Sequence, residues 1–238
     1  MRAIGIIPAR MASARFPGKP LAGIAGHPML WHVWRAVKSA GTIHPCYVAT
    51  DSPGIRTTCI ELGMDYILTS AFCKNGTERC HDAMRQLKSL PGDVVVNVQC
   101  DEPAVRGESL DELVRVFADP AVGVASLCFA PTGPEFIANR DRVKVLVGGD
   151  GYALGFWRSA NPATPWRSYR QHVGIYAYRR EIHAGIAGLE PRGDLEQGAW
   201  AVAGHRVRMV EIPYETASVD RPGDVPGAER ALAAAAVN

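Results

Sequence analysis

Short apolar runs alternate with amphipathic segments along the first half of the chain. The apolar runs are rich in β-branched residues and predict strands at 3–7, 45–49, 66–68, 94–98 and 122–129. Between them, apolar residues recur at helical spacing and predict helices at 27–40, 55–62, 78–90 and 109–117. This alternation predicts an α/β protein with a Rossmann-like, mostly parallel central sheet and helices on both faces.

The second half of the chain is less regular. A hairpin is predicted at 143–157 around the turn Gly148-Gly149-Asp150-Gly151. Further strands are expected at 173–178 and 207–212, and an alanine-rich helix at 228–236. Residues 158–171 combine arginines with prolines, which favours a mobile loop over a site. No repeat or linker interrupts the chain, so we expect one domain.

Composition and charge are those of an ordinary globular protein. The 238 residues are 47% hydrophobic and 21% charged, with a formal net charge of +2. That charge is too small for a nucleic-acid coat or a membrane-surface binder. The six cysteines form no CxxC pair, which favours free thiols in a reducing compartment. Without a signal-peptide pattern or a membrane-length apolar run, we expect a cytoplasmic protein.

Three cations lie in the loop after the first predicted strand, namely Arg10, Arg15 and Lys19. Prolines and a glycine within 8–20 oppose regular structure there. Arginine offers fork-shaped donors and lysine a mobile point charge, a combination that suits a polyphosphate. The alternative interpretation is a merely solvated basic loop. Phosphate-binding patterns of the GxGxxG or GxxxxGKS type are absent, which weighs against dinucleotide oxidoreductases and P-loop NTPases.

Two acidic segments are candidate metal ligands. Asp101-Glu102 follows the strand at 94–98, where ligands of parallel sheets bind, and could hold Mg²⁺ against a triphosphate. Asp220, in the turn Val219-Asp220-Arg221-Pro222, is the second candidate. Each could instead cap the turn or helix that follows. The residues alone leave both interpretations open.

Together these motifs resemble the CMP-KDO synthetases, the 3-deoxy-manno-octulosonate cytidylyltransferases. Residues 6–21 and the motif Val96-Asn97-Val98-Gln99-Cys100-Asp101-Glu102-Pro103 carry the resemblance most strongly. Shorter matches lie at 48–51, 76–79, 143–145, 172–179 and 219–222. The resemblance implies a nucleotidyltransferase fold. It also implies a reaction in which an acceptor oxygen attacks the α-phosphorus of CTP and pyrophosphate leaves.

The resemblance also implies an organisation of the single domain, 1–238. Residues 1–130 would form the nucleotide-binding half and 131–215 an acceptor and dimerisation lobe. Residues 216–238 would return a metal-site turn and end in a helix. A homodimer is therefore expected, with CTP and an anionic acceptor as its small-molecule partners.

Roles for individual residues follow from the same resemblance. Catalysis would rest on Arg10, Arg15, Lys19 and Asp101. The nucleotide would contact Pro8, Ala9, Arg10, Ser13, Lys19, Asn75, Arg79 and Gln99. The acceptor would face Arg158, His172, Tyr176, Glu196 and Gln197. The cofactor Mg²⁺ would be held by Asp101 and Asp220.

Departures from the family pattern concern mainly the acceptor. Cys100 stands where the family has glycine, and Asn75 replaces a serine. The stretches 162–172 and 178–195 look shortened, and Gly198-Ala199 replaces Leu-Arg. We therefore expect a small acid such as a phosphonoformate-like phosphonate, as used by relatives in antibiotic biosynthesis, rather than KDO. A genuine CMP-KDO synthetase is the alternative, and a non-catalytic nucleotide-binding regulator is a further one.

Overall fold

The structure is a computed structural model that describes residues 2–87, 92–190 and 195–235. Strands in this part of the chain are β1 (Ala3–Pro8), β2 (Gly23–Ile24), β3 (His27–Pro28), β4 (Ile43–Thr50), β5 (Tyr66–Leu68), β6 (Val94–Val98), β7 (Val124–Phe129), β8 (Lys144–Val147), β9 (Ala153–Trp157), β10 (Tyr169–Arg179) and β11 (Val207–Glu211). Helices are α1 (Met29–Ser39), α2 (Pro53–Glu61), α3 (Gly76–Gln86), α4 (Gly107–Arg115), α5 (Arg180–Ala187), α6 (Glu196–Val202) and α7 (Val225–Ala235).

One mixed sheet organises the described residues. Its strand order is β11-β7-β10-β6-β1-β4-β5, with β8 added to β10 and β9 to β8. The strands β6, β1, β4 and β5 are parallel, whereas β10 runs antiparallel to both β6 and β7. The predicted α/β class and mostly parallel sheet are confirmed. The first residues of β10 pair with β8, so this antiparallel strand joins the β8–β9 hairpin to the centre of the sheet.

The centre of the sheet is buried on both faces. Every residue of β1 and β6 is buried, as expected for continuous apolar strands inside a parallel sheet. Helix α1 packs on one face through Leu30, Val33 and Val37. Gly5 permits this contact, since a Cβ at that position would lie 2.8 Å from Val37 Cγ1. The carboxyl ends of β1 and β6 are thereby fixed side by side.

Several predicted elements need correction. The loop prediction at 158–171 is wrong from residue 169 onward, because Tyr169 begins β10. The first helix begins at Met29 and not at residue 27, because β2 and β3 pair in a small second sheet. Helix α3 begins at Gly76 and ends at Gln86, whereas positions 88–90 and 236 of the predictions lie outside the described residues.

Two further findings concern the cysteines and the lengths of the helices. All six cysteines are free, in agreement with the prediction of unpaired thiols. Within the described ranges, every helix is too short or too polar to cross a membrane.

Candidate functional site

Two adjoining cavities open at the carboxyl ends of β1 and β6. The smaller one, about 190 Å³, is lined by all the residues predicted to contact the nucleotide, namely Pro8, Ala9, Arg10, Ser13, Lys19, Asn75, Arg79 and Gln99. The larger, about 350 Å³, is lined by all those predicted for the acceptor, namely Arg158, His172, Tyr176, Glu196 and Gln197. Arg10, Arg15, Gln99 and Asp101 face both cavities. The structure thus brings the predicted residues together, and their individual roles stay predictions.

The loop after β1 turns Lys19 inward. Gly18 adopts φ +73°, a left-handed conformation that favours glycine, and its N–H donates to Met11 O at 3.1 Å. A short 3₁₀ turn, Lys19–Leu21, follows directly. The Lys19 side chain is only 14% exposed. A merely solvated loop is therefore the wrong interpretation for Lys19.

Cations of this loop meet two carboxylates. Lys19 Nζ lies 2.7 Å from Asp101 Oδ2 and 3.7 Å from Asp220 Oδ1. Arg15 Nη2 reaches the same Asp220 oxygen at 2.7 Å. Burial alone would lower the pKa of Lys19, but the charges of Asp101 and Asp220 outweigh it and leave that pKa raised. Burial, then the charge of Asp101, raises the pKa of Asp220.

Neither carboxylate serves as a cap. The helix after Asp101 begins only at Gly107, with Arg106 at its cap position. In the last turn, Asp224 accepts the backbone N–H groups of Asp220 and Arg221. The two segments are tied by a backbone hydrogen bond from Val219 N to Asp101 O at 2.9 Å. Both carboxylates therefore remain available to the cavities.

The start of α3 forms one wall of the smaller cavity. Asn75 caps this helix, since its Oδ1 accepts the Glu78 N–H at 2.8 Å. Arg79 is buried and bonds Thr69 Oγ1 at 2.7 Å and Asp51 at 3.0 Å, so much of its guanidinium is occupied within the wall. Gly76 allows Gln99 to lie close, because a Cβ there would be 2.7 Å from Gln99 Nε2.

Buried polar groups line the larger cavity. Gln197 Nε2 donates to the Tyr176 hydroxyl, and Thr77 Oγ1 donates to Glu196 at 2.6 Å. His172 Nε2 lies 2.9 Å from Ser126 Oγ. Burial lowers the pKa of His172 to about 3, so the imidazole is neutral near pH 7. This cavity thus offers the neutral groups of His172, Tyr176 and Gln197, together with the carboxyl group of Glu196, beside the arginines.

Lys144 links two segments that line the larger cavity. The fully buried ammonium donates to the carbonyls of Arg142 at 2.7 Å and Arg158 at 3.0 Å, and also to Asn139. Burial, assisted by nearby Arg140 and Arg158, lowers the pKa of Lys144 to about 8. The start of the predicted mobile loop is therefore anchored at Arg158.

The structure places two further acidic residues, Asp141 and Glu102, beside the predicted ligands. Asp141 Oδ1 lies 2.6 Å from Arg15, and its other oxygen lies 3.1 Å from Arg221. Glu102 is 3% exposed, and burial, then the charge of Asp101, raises its pKa to about 7. Asp141 sits in an Arg-Asp-Arg run without any motif. The sequence offered Glu102 together with Asp101 as a candidate metal ligand, and the structure instead buries its carboxyl group among neutral hydrogen-bond donors.

Fold and site together define a nucleotidyltransferase. The cationic loop after β1 faces Asp101, which follows the carboxyl end of the parallel strand β6. The larger cavity adjoins the smaller one that this loop lines. The model of the cytidylyltransferase family matches residues 4–189. The chain belongs to the 3-deoxy-manno-octulosonate cytidylyltransferase family, as the resemblance implied, and is a CTP-dependent cytidylyltransferase.

Relatives match over nearly the whole chain. The 3-deoxy-manno-octulosonate cytidylyltransferase of Desulfosudis oleivorans is 36% identical over 250 residues, covering 100% of each chain. That of Nitratidesulfovibrio vulgaris strain DP4 is 39% identical, covering 93% of this chain and 92% of its own. A mitochondrial relative from Arabidopsis thaliana is 37% identical, covering 94% and 81%.

Solved structures are also similar to this chain. The structure of CMP:2-keto-3-deoxy-manno-octonic acid synthetase complexed with CTP superposes with a TM-score of 0.88 at 33% identity, covering 99% of this chain and 100% of its own. A candidate glucose-1-phosphate thymidylyltransferase from Bacillus anthracis has a TM-score of 0.69 at 17% identity, covering 97% and 95%. The latter likeness concerns the fold alone.

Proposed function

We propose that this protein transfers CMP from CTP to 3-deoxy-manno-octulosonate with release of pyrophosphate. The observation that carries the proposal is the convergence of Lys19 and Arg15 on Asp101 and Asp220 between the two cavities. A hydroxyl oxygen of the acceptor forms a bond to the α-phosphorus of CTP. The bond from that phosphorus to the oxygen bridging the β-phosphate breaks, and the hydroxyl proton passes to solvent.

The chain's own residues mainly position and neutralise charge. Arg10, Arg15 and Lys19 would bind the triphosphate, and Asn75 with Gln99 would contact the nucleoside from the wall of the smaller cavity. The neutral His172 and Tyr176 would orient the acceptor without adding charge beside its reacting hydroxyl. Rate enhancement would come from holding both substrates in line.

The carboxylates of Asp101 and Asp220, where the two cavities meet, are ligands that fit Mg²⁺. Asp101 and Asp220 both lie within 3.7 Å of the same Lys19 ammonium, so their oxygens face one point. Magnesium uses one or two protein carboxylates and completes its shell with phosphate oxygens and water. When bound, the ion would neutralise charge on the α-phosphate and the leaving pyrophosphate.

The acceptor assignment departs from the small phosphonate expected above. The relatives named for 3-deoxy-manno-octulosonate match through the acceptor lobe, with complete coverage of both chains in one case. A cavity of about 350 Å³ lined by hydrogen-bonding groups and arginines suits a polyhydroxy acid better than a phosphonate of a few atoms. Nothing in the comparisons favours the phosphonate. The cytoplasmic location stays a prediction.

The decisive assay is pyrophosphate release with CTP and Mg²⁺. We expect turnover with 3-deoxy-manno-octulosonate, at least tenfold less with phosphonoformate, and at least tenfold less when UTP or ATP replaces CTP. Chelating Mg²⁺ should stop the reaction. Faster turnover with phosphonoformate than with the sugar acid would reverse the acceptor assignment.

The variant Asp101→Asn tests directly whether the carboxylate between the two cavities is needed for turnover. Loss of one carboxylate charge beside Lys19 should lower kcat by at least about 10²-fold, the size typical for removing an electrostatic group at a reacting phosphate. Asp150→Asn, which breaks an exposed ion pair with Arg206, is the matched control and should retain full activity. Equal rates for both variants would remove Asp101 from the metal site.

We further propose that the protein forms a homodimer through the lobe predicted at 131–215. Leu154 on β9 is 67% exposed and lines, together with the partly exposed Trp157, a groove between β9 and α6. Apolar side chains gathered at one face suit an isologous contact with a second copy. Light scattering should give twice the mass of the 25.7 kDa chain, and Leu154→Asp should give monomers. A monomeric unmodified protein would exclude the dimer.

A further inference from the structure

Glu102 is a buried carboxyl group whose hydrogen-bond donors are all neutral among the described residues. Ser218 Oγ donates to Oε1 at 2.6 Å, and the Gly174 N–H donates to the same oxygen at 3.2 Å. Thr216 Oγ1 donates to Oε2 at 3.3 Å. Burying such a group costs free energy unless its oxygens are bonded. Its three donors come from two separate segments of the chain.

One of these segments is the irregular part of β10. The register of β10 against β7 shifts between Val173 and Tyr176, and pairing with β6 begins only at Ile175 opposite Val98. The Gly174 N–H therefore lies beyond the end of β6 and is free to donate to Glu102. Ser126 Oγ secures the same stretch by donating to Ile175 O at 2.7 Å.

The second segment is the turn that carries Asp220. Ser218 precedes Asp220 by two residues, and Val219 between them donates its N–H to Asp101 O at 2.9 Å. Glu102 Oε1 thus binds this turn and β10 at once, while its own backbone continues from Asp101. One oxygen atom links both proposed metal-binding segments to the strand that carries His172 and Tyr176.

We propose that Glu102 is a positioning residue that fixes the acceptor strand β10 relative to Asp101 and Asp220. This inference rests on the proposed function. Glu102 need not touch either substrate, because it acts through Gly174 and Ser218. A displacement of about 1 Å between reacting groups can lower a rate about 10²-fold, so loosening this link should affect turnover more than binding of CTP.

The test compares Glu102→Ala and Glu102→Gln with Glu108→Ala, an exposed carboxylate on α4. We expect Glu102→Ala to lower kcat about 10²-fold and to raise the KM of the acceptor, while calorimetry shows the Kd of CTP changed less than threefold. Glu102→Gln should recover most of kcat, because the amide oxygen can still accept from Ser218 and Gly174. Glu108→Ala should match the unmodified protein.

Ser218→Ala guards against misfolding of the Glu102 variants. It removes only the 2.6 Å hydrogen bond and should lower kcat about tenfold with binding of CTP retained. An unchanged kcat in Ser218→Ala, or in a folded Glu102→Ala, would overturn the proposal. So would a Glu102→Gln variant as slow as Glu102→Ala, since charge and not positioning would then matter.

An error in the proposed function shows up separately, in the unmodified protein. If the unmodified protein prefers another acceptor, the variants are compared with that acceptor and the same ratios are expected. If it turns over no acceptor at all, the proposed function fails. The inference is then decided by calorimetry, in which each acid is titrated into the protein in the presence of CTP. Acceptor binding that is equal in Glu102→Ala and the unmodified protein would overturn it.

Discussion

Arg15 is held between two carboxylates that a bound triphosphate would have to displace. It pairs with Asp220 at 2.7 Å and with Asp141 at 2.6 Å, and Asp141 also pairs with Arg221. Asp141 is therefore an internal competitor for the same guanidinium. Because the Arg15–Asp141 pair is partly exposed, its interaction free energy is limited to about 1 kcal/mol or less.

Asp141→Asn should consequently tighten CTP binding. Freeing Arg15 lowers the expected Kd by about two- to fivefold, the equivalent of a surface ion pair, and calorimetry at low ionic strength measures it. Asp150→Asn is the control, since neither Asp150 nor its partner Arg206 lines either cavity. Weaker binding in Asp141→Asn would mean that Asp141 prepares Arg15 for the phosphates instead.

Residues of the candidate site differ in how well the sequence predicts them. Lys19 and Asp101 follow strands whose carboxyl ends must meet in a parallel sheet, so their proximity could be expected. Asp141 pairs with Arg15 across 126 positions of the chain, and no local pattern encodes that contact. Likewise, the capping alternative for Asp220 was settled only by Asp224, which accepts the turn's N–H groups in its place.

At the scale of elements, helices α1 and α4 approach closely at Gly107. A Cβ there would lie 2.4 Å from Ser39 Oγ and 2.9 Å from Ala40 N, at the end of α1. Gly107→Ala must push the two helices apart and should lower the free energy of unfolding by about 1–3 kcal/mol. Urea denaturation followed by circular dichroism measures the change.

Gly185 on α5 provides the matched control. A Cβ at Gly185 meets nothing within 4 Å, and alanine is the better helix former. Gly185→Ala should therefore leave stability unchanged or raise it by up to about 1 kcal/mol. Equal losses in the two variants would show that the α1–α4 contact is not what makes Gly107 sensitive.

Elements of the first half were predictable because each is apolar at one clear period. The strand β6 reads as Val-Val-Val-Asn-Val and lies at the centre of the sheet. The start of β10 was not predictable, because Tyr169, Arg170 and Gln171 show no strand alternation and become a strand only by pairing with β8. Helices α5 and α6 are short, so tertiary packing stabilises them, α5 against α3 and β10 and α6 against β9.

At the scale of the whole molecule, buried neutral histidines make stability depend on pH. His183 on α5 packs against Tyr178, with ring centroids 5.1 Å apart, and is 2% exposed. Burial, and then the neighbouring His81, lowers the pKa of His183 to about 4. In the unfolded chain a histidine titrates near pH 6.5, as an approximate reference value. Between these values the unfolded state binds a proton that the folded state does not.

Stability from His183 is therefore complete above about pH 6.5 and is lost as the pH falls toward 4, at about 1.4 kcal/mol per pH unit. Urea denaturation at pH 7.5, 6 and 5 should show the unmodified protein losing about 2 kcal/mol more than His183→Gln between the end points. His44→Gln, at an exposed position, should follow the unmodified protein. Parallel pH profiles for all three proteins would show that His183 binds protons equally in the folded and unfolded states, and that another group causes any acid sensitivity.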